Sequence, residues 1–545
     1  MDLQLNILSP VLSADRAEQF TPEERERLAP YFTNTDRHVF ALTNLPETVK
    51  GALFARYSRS AKSLRRLFLD EFSDTMAASA AQPTSVGVER AEKLYARVFN
   101  DYGDDLVAQL GGAHLACEYA SNILTKVLEW GRLMAYLEQS TRYVPYTDKL
   151  HGQWRYHVPA ELEAGLRDRY TRTMDQLFEL YAKWIPAMQD HFAQRYPRAA
   201  GDSEGVHRAA IRAKALDTLR GMLPAATQSN VGIYGTGQAY EALLLRMRAH
   251  ALAEVRECGD AMLAELRKVI PAFLTRVDLP DRGGRWSNYF ETNREGLSAL
   301  ASEMVGELAP APSDEVTLTD FDPDGELKIV AAALYAATAL PDQQLIDLAR
   351  RMSADDRARV LRTYLGQRGN RRHRPGRAFE RTTYRFDVLT DYGAFRDLQR
   401  HRLLTLEWQP LSTRHGFTEP DAIRDSGAGE DWDRAMNASA ELNEALLSSG
   451  LATVAQYAIV MAYRVRFYME MNAREAMHLI ELRTAPQGHP AYRRVCQQMH
   501  RLIADRAGHH AIADAMRFAD HTVVELERLG SERAIERKRT APDPA

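Results

Sequence analysis

Residues 399–417, QRHRLLTLEWQPLSTRHGF, gather cationic and hydroxyl side chains in one short segment. Arg400, His401 and Arg402 stand together, and Ser412 and Arg414 follow after a largely apolar spacer. Two guanidiniums beside an imidazole, which can donate or accept a hydrogen bond, suit a phosphate group or an electron-rich heterocycle. A solvated basic turn would have a similar composition, so this segment alone leaves both interpretations open.

A second segment, EWGRLMAYLEQSTRYVPY at residues 129–146, repeats part of this pattern. Arg132 is followed by a mostly apolar spacer and then by Ser140, Thr141 and Arg142. The order of arginine, spacer and Ser-Thr-Arg therefore occurs once in each half of the chain. Such a repeat indicates an internal duplication.

Both segments resemble the signature of the flavin-dependent thymidylate synthase (ThyX) family, which reads Arg-His-Arg, seven residues, then serine. The second half keeps the triplet, but nine residues separate Arg402 from Ser412. The first half keeps the spacing of seven between Arg132 and Ser140, as well as Glu138 and Arg142. It has tryptophan and glycine in place of the first arginine and the histidine. Each copy holds what the other has lost.

The resemblance continues downstream in MNAREAMHLIELRTAPQGHPAYR, residues 471–493. This segment is similar to the helix of the family that starts at Asn-x-Arg and ends in Leu-Arg, with Asn472, Arg474, His478 and Arg483 at the matching places. At about 100° per residue Arg474 and His478 share one face of a helix, whereas Arg483 lies on the opposite side. One helix could therefore serve two pockets.

The resemblance implies roles for residues in both halves. The residues implied to bind FAD are Arg132, Arg400, His401, Arg402, Asn472, Arg474 and His478. Those implied to bind the nucleotide are Glu138, Ser140, Arg142, Ser412 and Arg414, and the residue implied to be catalytic is Arg483. Asp397 departs from the family pattern, in which a glutamine precedes the triplet by three residues.

The resemblance also implies a reaction, the reductive methylation of deoxyuridine monophosphate (dUMP) at C5. FAD would be reduced by NADPH, methylenetetrahydrofolate would supply the carbon, and the protein would supply orientation and electrostatics. Guanidiniums would bind the phosphate and polarise the uracil carbonyls, which makes C5 nucleophilic without a covalent thiol. Because members of the family are homotetramers, a fused pair of domains is expected to form a homodimer with a four-domain core.

Two other functions remain open at this point. One keeps the ThyX fold but acts on another pyrimidine nucleotide, or has one or both sites inactive. The other is a helical protein without a cofactor that binds a polyanion through residues 366–377, GQRGNRRHRPGR. This segment has five arginines in twelve residues. The same composition fits a solvated charged loop, or a loop that contacts phosphate or polyglutamate.

The elements that must position these residues are mainly helical. KSLRRLFLDEF (62–72) and DAMLAELRKVIPAFL (260–274) have apolar residues at spacings of three and four, which predicts amphipathic helices. TTYRFDVL (382–389), just before the triplet, alternates like a strand. With the resemblance, this predicts an α+β, predominantly helical fold of two tandem ThyX-like domains, each with a small β-sheet packed by helices.

The domain boundaries follow from length and local composition. A chain of 545 residues exceeds what one core usually supports. Residues 306–326 are rich in proline and acids without a helical period, which predicts a linker between an N-terminal domain (1–305) and a C-terminal domain (327–530) containing the triplet. The charged, proline-containing tail at 531–545 is expected to be disordered.

Composition excludes several classes of protein. A formal net charge of -4 gives no general attraction to nucleic acid or to a membrane surface. No signal peptide and no run of about 18 apolar residues is present, and the three dispersed cysteines suit a reducing environment, so we expect a cytoplasmic protein. His509 and His510 have no acid or thiol at metal-ligand spacing, and no metal site is expected.

Overall fold

The computed structural model describes residues 18–37, 39–57, 60, 62–73 and 109–540. Helices predominate and the strands form two small sheets, which confirms the α+β, predominantly helical fold predicted from the sequence. Within these ranges, no helix combines the length and the apolar composition needed to cross a membrane.

The strands of the described residues are β1 (Gly112–Ser121), β2 (Met134–Glu138), β3 (Gln228–Thr236), β4 (Val316–Phe321), β5 (Thr383–Asp391), β6 (Thr405–Trp408) and β7 (Arg464–Asn472). One sheet has three strands in the order β1-β3-β2. The other has four strands in the order β4-β5-β7-β6, and all of its neighbouring strands are antiparallel.

The helices are named in chain order. Up to the end of β3 they are α1 (Pro22–Leu28), α2 (Glu47–Tyr57), α3 (Leu64–Glu71), α4 (Asn122–Leu128), α5 (Ala164–Arg195) and α6 (Glu204–Leu219). Between β3 and β5 they are α7 (Gly237–Arg248), α8 (Ala253–Leu266), α9 (Gly283–Val305), α10 (Gly325–Tyr335), α11 (Asp342–Arg351) and α12 (Ala354–Leu365). After β5 they are α13 (Tyr392–Leu398), α14 (Ala422–Asp425), α15 (Gly429–Ser448), α16 (Ala452–Ala455), α17 (Ala473–Arg483), α18 (Pro490–Asp505), α19 (His510–Ala515) and α20 (Leu529–Thr540).

The chain divides into two compact units, each built from separate stretches of sequence. Unit 1 contains residues 1–117, 133–137 and 232–306. Unit 2 contains residues 118–132, 138–231 and 307–545. Unit 2 therefore includes parts of both halves of the sequence, among them most of the residues singled out above.

The four-stranded sheet of unit 2 positions the two motifs of the second half. On β5 the side chains of Tyr384, Phe386 and Val388 alternate into the core, as the sequence TTYRFDVL predicts. β5 pairs with β7 from Thr383 opposite Asn472 to Asp391 opposite Arg464. Because the two strands are antiparallel, α13 and α17 begin at opposite ends of this pair.

The long helix α5 supplies much of the remaining core of unit 2. Tyr170, Phe178 and Tyr181 lie on its buried face, and the helix packs against α6 and α15. Trp432 of α15 is fully buried. Packing against α5 and α15 positions α6 and the turn that follows it, which carry Asp217 and Arg220 of the site described below.

Three predicted elements differ from the structure. Within the predicted linker, Val316–Phe321 form β4, whose backbone groups pair with β5. The predicted helix at 260–274 ends at Leu266, and Pro271 starts a separate 3-10 turn because its ring cannot continue an α-helix. In the tail, Leu529–Thr540 form α20, which is held by the ion pair of Arg533 with buried Asp202. Residues 541–545 lie outside the described ranges.

Candidate functional site

The Arg-His-Arg triplet follows α13, and its three side chains differ in exposure. The carboxylate of Asp391 caps this helix by accepting a hydrogen bond from the backbone N–H of Ala394 (2.9 Å). His401 is buried, Arg400 is half-buried and Arg402 is exposed. The triplet is therefore not a uniformly solvated basic turn.

A buried ion network lies around Arg400. Its members are Lys126, Glu129, Glu138, Arg220, Arg396, Asp397 and Arg400. Glu138 is at its centre: its carboxylate accepts a hydrogen bond from Arg396 (2.8 Å) and lies 3.2 Å from Lys126 Nζ and 3.4 Å from Arg400 Nη2. Burial acts to raise the pKa of Glu138, but the three cations outweigh it and hold that pKa well below its usual range.

Asp397 is another carboxylate of the buried ion network. It lies 3.2 Å from Arg400 and 3.4 Å from Arg220. Burial acts to raise the pKa of Asp397, but Arg400, Arg220 and two further arginines hold it far below its usual range. A fixed negative charge thus occupies the position at which the family has an uncharged glutamine.

The two incomplete motifs of the sequence meet in this network. Glu138 belongs to the first-half copy, and Arg396 and Arg400 belong to the second half. The half that lost its Arg-His pair therefore provides the carboxylate, and the half with the altered spacer provides the arginines. The structure brings the retained parts of the two copies into one composite site in unit 2.

Arg142, also from the first-half copy, is buried beside this network. Its guanidinium donates two hydrogen bonds to the carboxylate of Asp217, at 2.7 and 2.6 Å, and one to the hydroxyl of Tyr492 at 3.1 Å. This bidentate pair fixes the orientation of Arg142. A ligand beside it would meet a neutralised ion pair and not a free cation.

The residues around His401 form a second group, the His401 cluster: His401, Glu475, His478 and Arg483. Arg483 Nε donates a hydrogen bond to His401 Nε2 (2.9 Å), and Nδ1 of the same ring lies 3.1 Å from Glu475 Oε1. Because a guanidinium can only donate, Nε2 is the acceptor and the neutral ring carries its proton on Nδ1, toward Glu475. Burial, with the charge of Arg483, lowers the pKa of His401 well below its usual value and keeps the ring neutral.

Burial has the opposite effect on the acid of this cluster, because it raises the pKa of Glu475 to about 7. The ligand atoms of His401, Glu475 and His478 lie within 4.8 Å of one another, a spacing that would suit a metal ion. However, Arg483 donates to one ring and Arg374 lies 3.2 Å from Nε2 of the other. Two guanidiniums this close disfavour a metal ion as a further cation, and the chemistry of the cluster favours an anion or an electron-rich ring.

A cavity of about 350 Å³ opens beside the buried ion network. Asp217, Arg220, Asp391 and His489 line it, together with the indole of Trp432. Arg220 is only 4% exposed, and its Nη2 has no hydrogen-bond partner among the described residues. A buried guanidinium N–H without an acceptor is costly, and an anionic or carbonyl oxygen of a ligand would satisfy it.

Two glycines allow this arrangement. A Cβ at Gly221 would lie 2.6 Å from the ring of Trp432. A Cβ at Gly393 would lie 3.0 Å from Asp391 Oδ1 and 3.1 Å from Arg220 Nε. Glycine at these positions therefore lets the indole and the guanidinium approach the backbone that borders the cavity.

The buried His489 in the cavity wall should make the free energy of unfolding depend on pH. Its Nδ1 accepts a hydrogen bond from the backbone N–H of Ala491, and burial with the charge of Arg220 lowers the pKa of His489 to about 3. The unfolded chain takes up a proton near pH 6.5 and the folded chain does not. The contribution of the neutral His489 to the free energy of unfolding is therefore complete above pH 6.5. It is lost as the pH falls toward 3, by about 1.4 kcal/mol per pH unit.

We expect His489→Gln to reduce the acid-dependent loss of stability by about 2 kcal/mol between pH 7.5 and pH 5. Urea unfolding of the wild type and the variant at both pH values measures this difference. His510→Gln, at an exposed position, is the control and should keep the wild-type pH dependence. An unchanged pH dependence in His489→Gln would contradict a neutral, buried His489.

Other predicted site residues lie apart from the composite site. Arg132 is exposed and donates a hydrogen bond to Thr405 Oγ1 (3.1 Å). Arg414 is exposed, and Ser412 is half-buried. Within the described ranges, no hydrogen bond or ion pair connects these three side chains to the buried ion network or to the His401 cluster.

Three further predicted residues have local structural contacts. Asn472 caps α17 by accepting a hydrogen bond from the backbone N–H of Glu475 (2.9 Å). Arg474 donates to the carbonyl of Pro375 (2.8 Å). The hydroxyl of Ser140 accepts from the backbone N–H of Arg142 (3.2 Å). Their side chains thus order the backbone next to the site.

Sequence reasoning missed several residues that line the site, chiefly Asp217, Arg220 and His489. Asp217 and Arg220 are an acid and a base three residues apart at the end of α6, a spacing that is common on solvated helix surfaces. Nothing in that pattern signals that both are buried. His489 stands before Pro490 as the residue that caps α18, which is the only local signal it gives.

Comparison with known proteins gives the family of the chain. The family model described as thymidylate synthase complementing protein matches residues 51–272 and again residues 317–507. The chain belongs to this family. The two matched segments confirm both the resemblance and the internal duplication predicted from the repeated motif.

Relatives of two kinds are found in this family. A UPF0159 protein of Chlamydia muridarum is 37% identical over 521 residues, covering 94% of this chain and 98% of its own. A UPF0159 protein of Thermoplasma acidophilum is 29% identical over 510 residues, covering 89% of this chain and 97% of its own. A flavin-dependent thymidylate synthase of Clostridium tetani is 26% identical over 212 residues, which is 36% of this chain and 79% of that enzyme. The last match has the length expected for one of two duplicated family domains.

Among solved structures, the UMP/dUMP methylase PolB from Streptomyces cacaoi, bound with 5-Br dUMP, is similar to part of the chain. The sequence identity is 23% and the TM-score is 0.31, covering 38% of this chain and 99% of PolB.

Proposed function

We propose that the chain methylates a pyrimidine nucleotide at C5, with dUMP as substrate, FAD as cofactor, and NADPH and methylenetetrahydrofolate as cosubstrates. Membership of the family supports thymidylate synthase-like nucleotide methylation in general. The observation that carries the proposal is the composite site: Glu138 from one motif copy lies 3.4 Å from Arg400 of the other, and the charges of Arg142 and Arg400 both act on Asp397. Each half lacks residues that the other provides.

We assign the nucleotide to the cavity beside Arg220. A volume of about 350 Å³ lies within the range of small-molecule sites. The unpartnered Nη2 of Arg220 can donate to a phosphate or to a uracil carbonyl, and the planar fork of a guanidinium suits both groups.

The surroundings of the His401 cluster fit a flavin dinucleotide. Arg402 is exposed, and Arg374 contacts His478 without forming an ion pair among the described residues. These guanidiniums, with the half-buried His478, would hold the cofactor. When bound, FAD would take a hydride from NADPH and supply the reducing equivalents for the methyl group.

The residues of the chain would activate the nucleotide by charge. Arg483 donates to the neutral ring of His401 and keeps its positive charge, which also acts on the carboxylate of Asp397. Guanidinium N–H groups at the uracil carbonyls would stabilise the negative charge of the ring when N3 is deprotonated, and that form is more electron-rich at C5. A thiol is not needed for this step. Cys496, the only cysteine within unit 2, is buried, and burial raises the pKa of its thiol to about 12.

Asp397 favours a second candidate, in which the substrate is another pyrimidine nucleotide. A carboxylate only accepts hydrogen bonds, whereas the glutamine of the family pattern can also donate. An ionised Asp397 would suit a cytosine amino group or a ribose hydroxyl better than a uracil carbonyl. Calorimetric titration with dUMP, UMP, dCMP and CMP separates the two candidates by the order of affinities.

We also propose that two chains form a homodimer with a four-domain core.

Arg402→Ala tests the cofactor assignment. We expect the purified wild type to show the visible absorption bands of flavin, or to acquire them when FAD is added. Removing one exposed guanidinium should weaken FAD binding by roughly tenfold, with little effect on folding. The measurement is the flavin-to-protein absorbance ratio after dialysis against a series of FAD concentrations.

Arg359→Ala is the matched control, because Arg359 is an arginine with a 78% exposed side chain on α12. It should retain wild-type flavin content. A wild-type protein that neither contains FAD nor takes it up would rule out the flavoenzyme proposal. Equal flavin content in the two variants would show that Arg402 is not part of the flavin site.

A further inference from the structure

Helix α9 of unit 1 is exposed along most of its length. Its first half contacts α7, where Ser287 Oγ donates to the carbonyl of Leu245 (3.2 Å). Arg294 donates to the carbonyl of Ala249, just after α7. Every residue from Glu295 to Val305 is exposed. Because most of the stability of a helix in a protein comes from packing one face, this exposure indicates a contact with another molecule.

The apolar side chains of α9 lie on one face, which we call the α9 apolar face. Its members are Trp286, Tyr289, Phe290, Leu297, Leu300 and Met304. At about 100° per residue, these six side chains fall within an arc of about 100°. Each residue is between 36% and 69% exposed. Ser287 and Arg294 lie outside this arc, so the α9 apolar face is not the face that contacts α7.

The α9 apolar face is larger than the apolar patch of a typical monomer. At roughly 200 Å² for a large side chain, its exposed fractions amount to roughly 700 Å². The largest patch on a monomer is typically about 300–600 Å². Two such faces packed together would remove roughly 1,400 Å² from water, within the about 1,200–2,000 Å² of stable interfaces. The area therefore fits a second copy of the same helix.

The charges of α9 favour a protein partner over a membrane surface. The helix carries Arg285 and Arg294 against Glu291, Glu295 and Glu303, so it is acidic by one charge. Amphipathic helices that lie on membranes are instead rich in basic residues on their polar face. A second copy of the chain is the occupant that fits both the area and the charge.

The charges at the two ends of the helix favour an antiparallel pair. Arg285 near the start and Glu303 near the end flank the α9 apolar face on the same side. In an antiparallel pair, Arg285 of each copy lies beside Glu303 of the other. The two helix dipoles are then also opposed, which is favourable. A parallel pair would place like charges at the same height.

The spacing along α9 fits the seam of a coiled coil. Positions 286, 290, 293, 297, 300 and 304 alternate by four and three residues, and the polar one among them is Asn293. A two-fold axis at residue 295 brings these positions of the two copies together in pairs. The pairs are Trp286 with Met304, Phe290 with Leu300, and Asn293 with Leu297. Each large ring thus faces a flexible or branched aliphatic side chain.

We propose that α9 is the contact helix of a symmetric pair of chains, in which two α9 apolar faces pack antiparallel about a two-fold axis. The inference goes beyond the proposed function and does not rest on the nucleotide chemistry. The helix belongs to unit 1, whereas the composite site belongs to unit 2.

Leu297→Glu/Leu300→Glu in the full chain tests this interface. Four added carboxylates would meet near the centre of the pair, where burying unpaired charge is costly. We expect the mass from sedimentation velocity to fall from two chains to one, and the dissociation constant of the pair to rise at least 100-fold. If other surfaces hold a four-domain core together, the mass should fall from four chains to two.

Ser298→Glu/Ser302→Glu is the matched control, because it adds the same charge to exposed positions on the opposite face of α9. It should keep the wild-type mass. Circular dichroism of both variants should match the helix content of the wild type to within the 23 residues of α9. Equal masses in the wild type and Leu297→Glu/Leu300→Glu would overturn the proposal. A wild type of one chain at every concentration would show that the face is covered in another way and would also overturn it.

Cross-linking tests the direction of the two helices and leaves the α9 apolar face intact in the decisive variant. Gly296→Cys lies next to the two-fold axis, and a Cβ at Gly296 would meet nothing within 4 Å. In the antiparallel pair its two thiols are about 3 Å apart along the helix axis, whereas those of Met304→Cys are about 27 Å apart.

A short bismaleimide should therefore join two chains of Gly296→Cys and leave Met304→Cys as single chains on a denaturing gel. The wild type is the reference for its three native cysteines. The reverse pattern, or no cross-link in either variant, would overturn the antiparallel pair.

Discussion

Glu138→Gln should reduce the free energy of unfolding by about 3–5 kcal/mol, the largest effect on stability that we expect from a single substitution in the site. Glutamine has nearly the same shape as glutamate, so the loss comes from the charge. Without the carboxylate, Arg396 and Lys126 remain buried and positively charged beside a neutral amide. Arg396 Nε already lacks a hydrogen-bond partner among the described residues. The Arg396 side chain therefore has few alternative acceptors to turn to when the carboxylate is lost. Urea unfolding at pH 7.5 gives the difference.

The matched control for this substitution is Glu470→Gln. Glu470 pairs with Arg385 on the four-stranded sheet at 3.3 Å, with both side chains about 40% exposed. Water screens such a pair, and we expect a change below about 1 kcal/mol. Similar small losses in the two variants would show that Glu138 is not the central counterion of the buried ion network.

Arg220→Lys should weaken nucleotide binding by roughly 10- to 100-fold, the largest effect on affinity that we expect. Lysine keeps the positive charge next to Asp397 but loses the planar fork, whose Nη2 has no hydrogen-bond partner among the described residues. The change should therefore appear in ligand affinity more than in stability. Calorimetric titration with dUMP and with UMP measures it.

Arg208→Lys on the same helix α6 is the control, because its side chain is 71% exposed and lies outside the residues that line the cavity. It should bind both nucleotides like the wild type. Wild-type affinity in Arg220→Lys, with wild-type stability, would exclude the cavity as the nucleotide site.

Periodicity and motif spacing predicted the local elements of the second half well. The alternation in TTYRFDVL predicted β5, and Asn472 starts α17 with the capping contact expected of an asparagine before a helix. The repeated motif predicted the duplication. That each copy kept what the other had lost was readable in the sequence. In the structure Glu138 and Arg400, which come from different copies, meet in one network.

The partners of these residues could not be predicted, because they depend on long-range packing. Arg142 pairs with Asp217 across 75 positions of sequence, and Arg396 reaches Glu138 across 258. An arginine-rich segment such as 366–377 has the same composition whether it is solvated or anchored, and the burial of Arg368 against Glu481 decides between the two. Likewise α20 is charged like a disordered tail and is ordered by the contact of Arg533 with Asp202.

The measurement that tests the central claim most directly is the release of tritium from C5 of labelled nucleotide by the purified protein. Methylation at C5 must remove the hydrogen there, so the account predicts release from labelled dUMP that requires FAD, NADPH and methylenetetrahydrofolate together. The same release from UMP or a cytidine nucleotide, but not from dUMP, would indicate the second substrate candidate. An FAD-loaded protein that releases no tritium from any of these nucleotides would contradict the account.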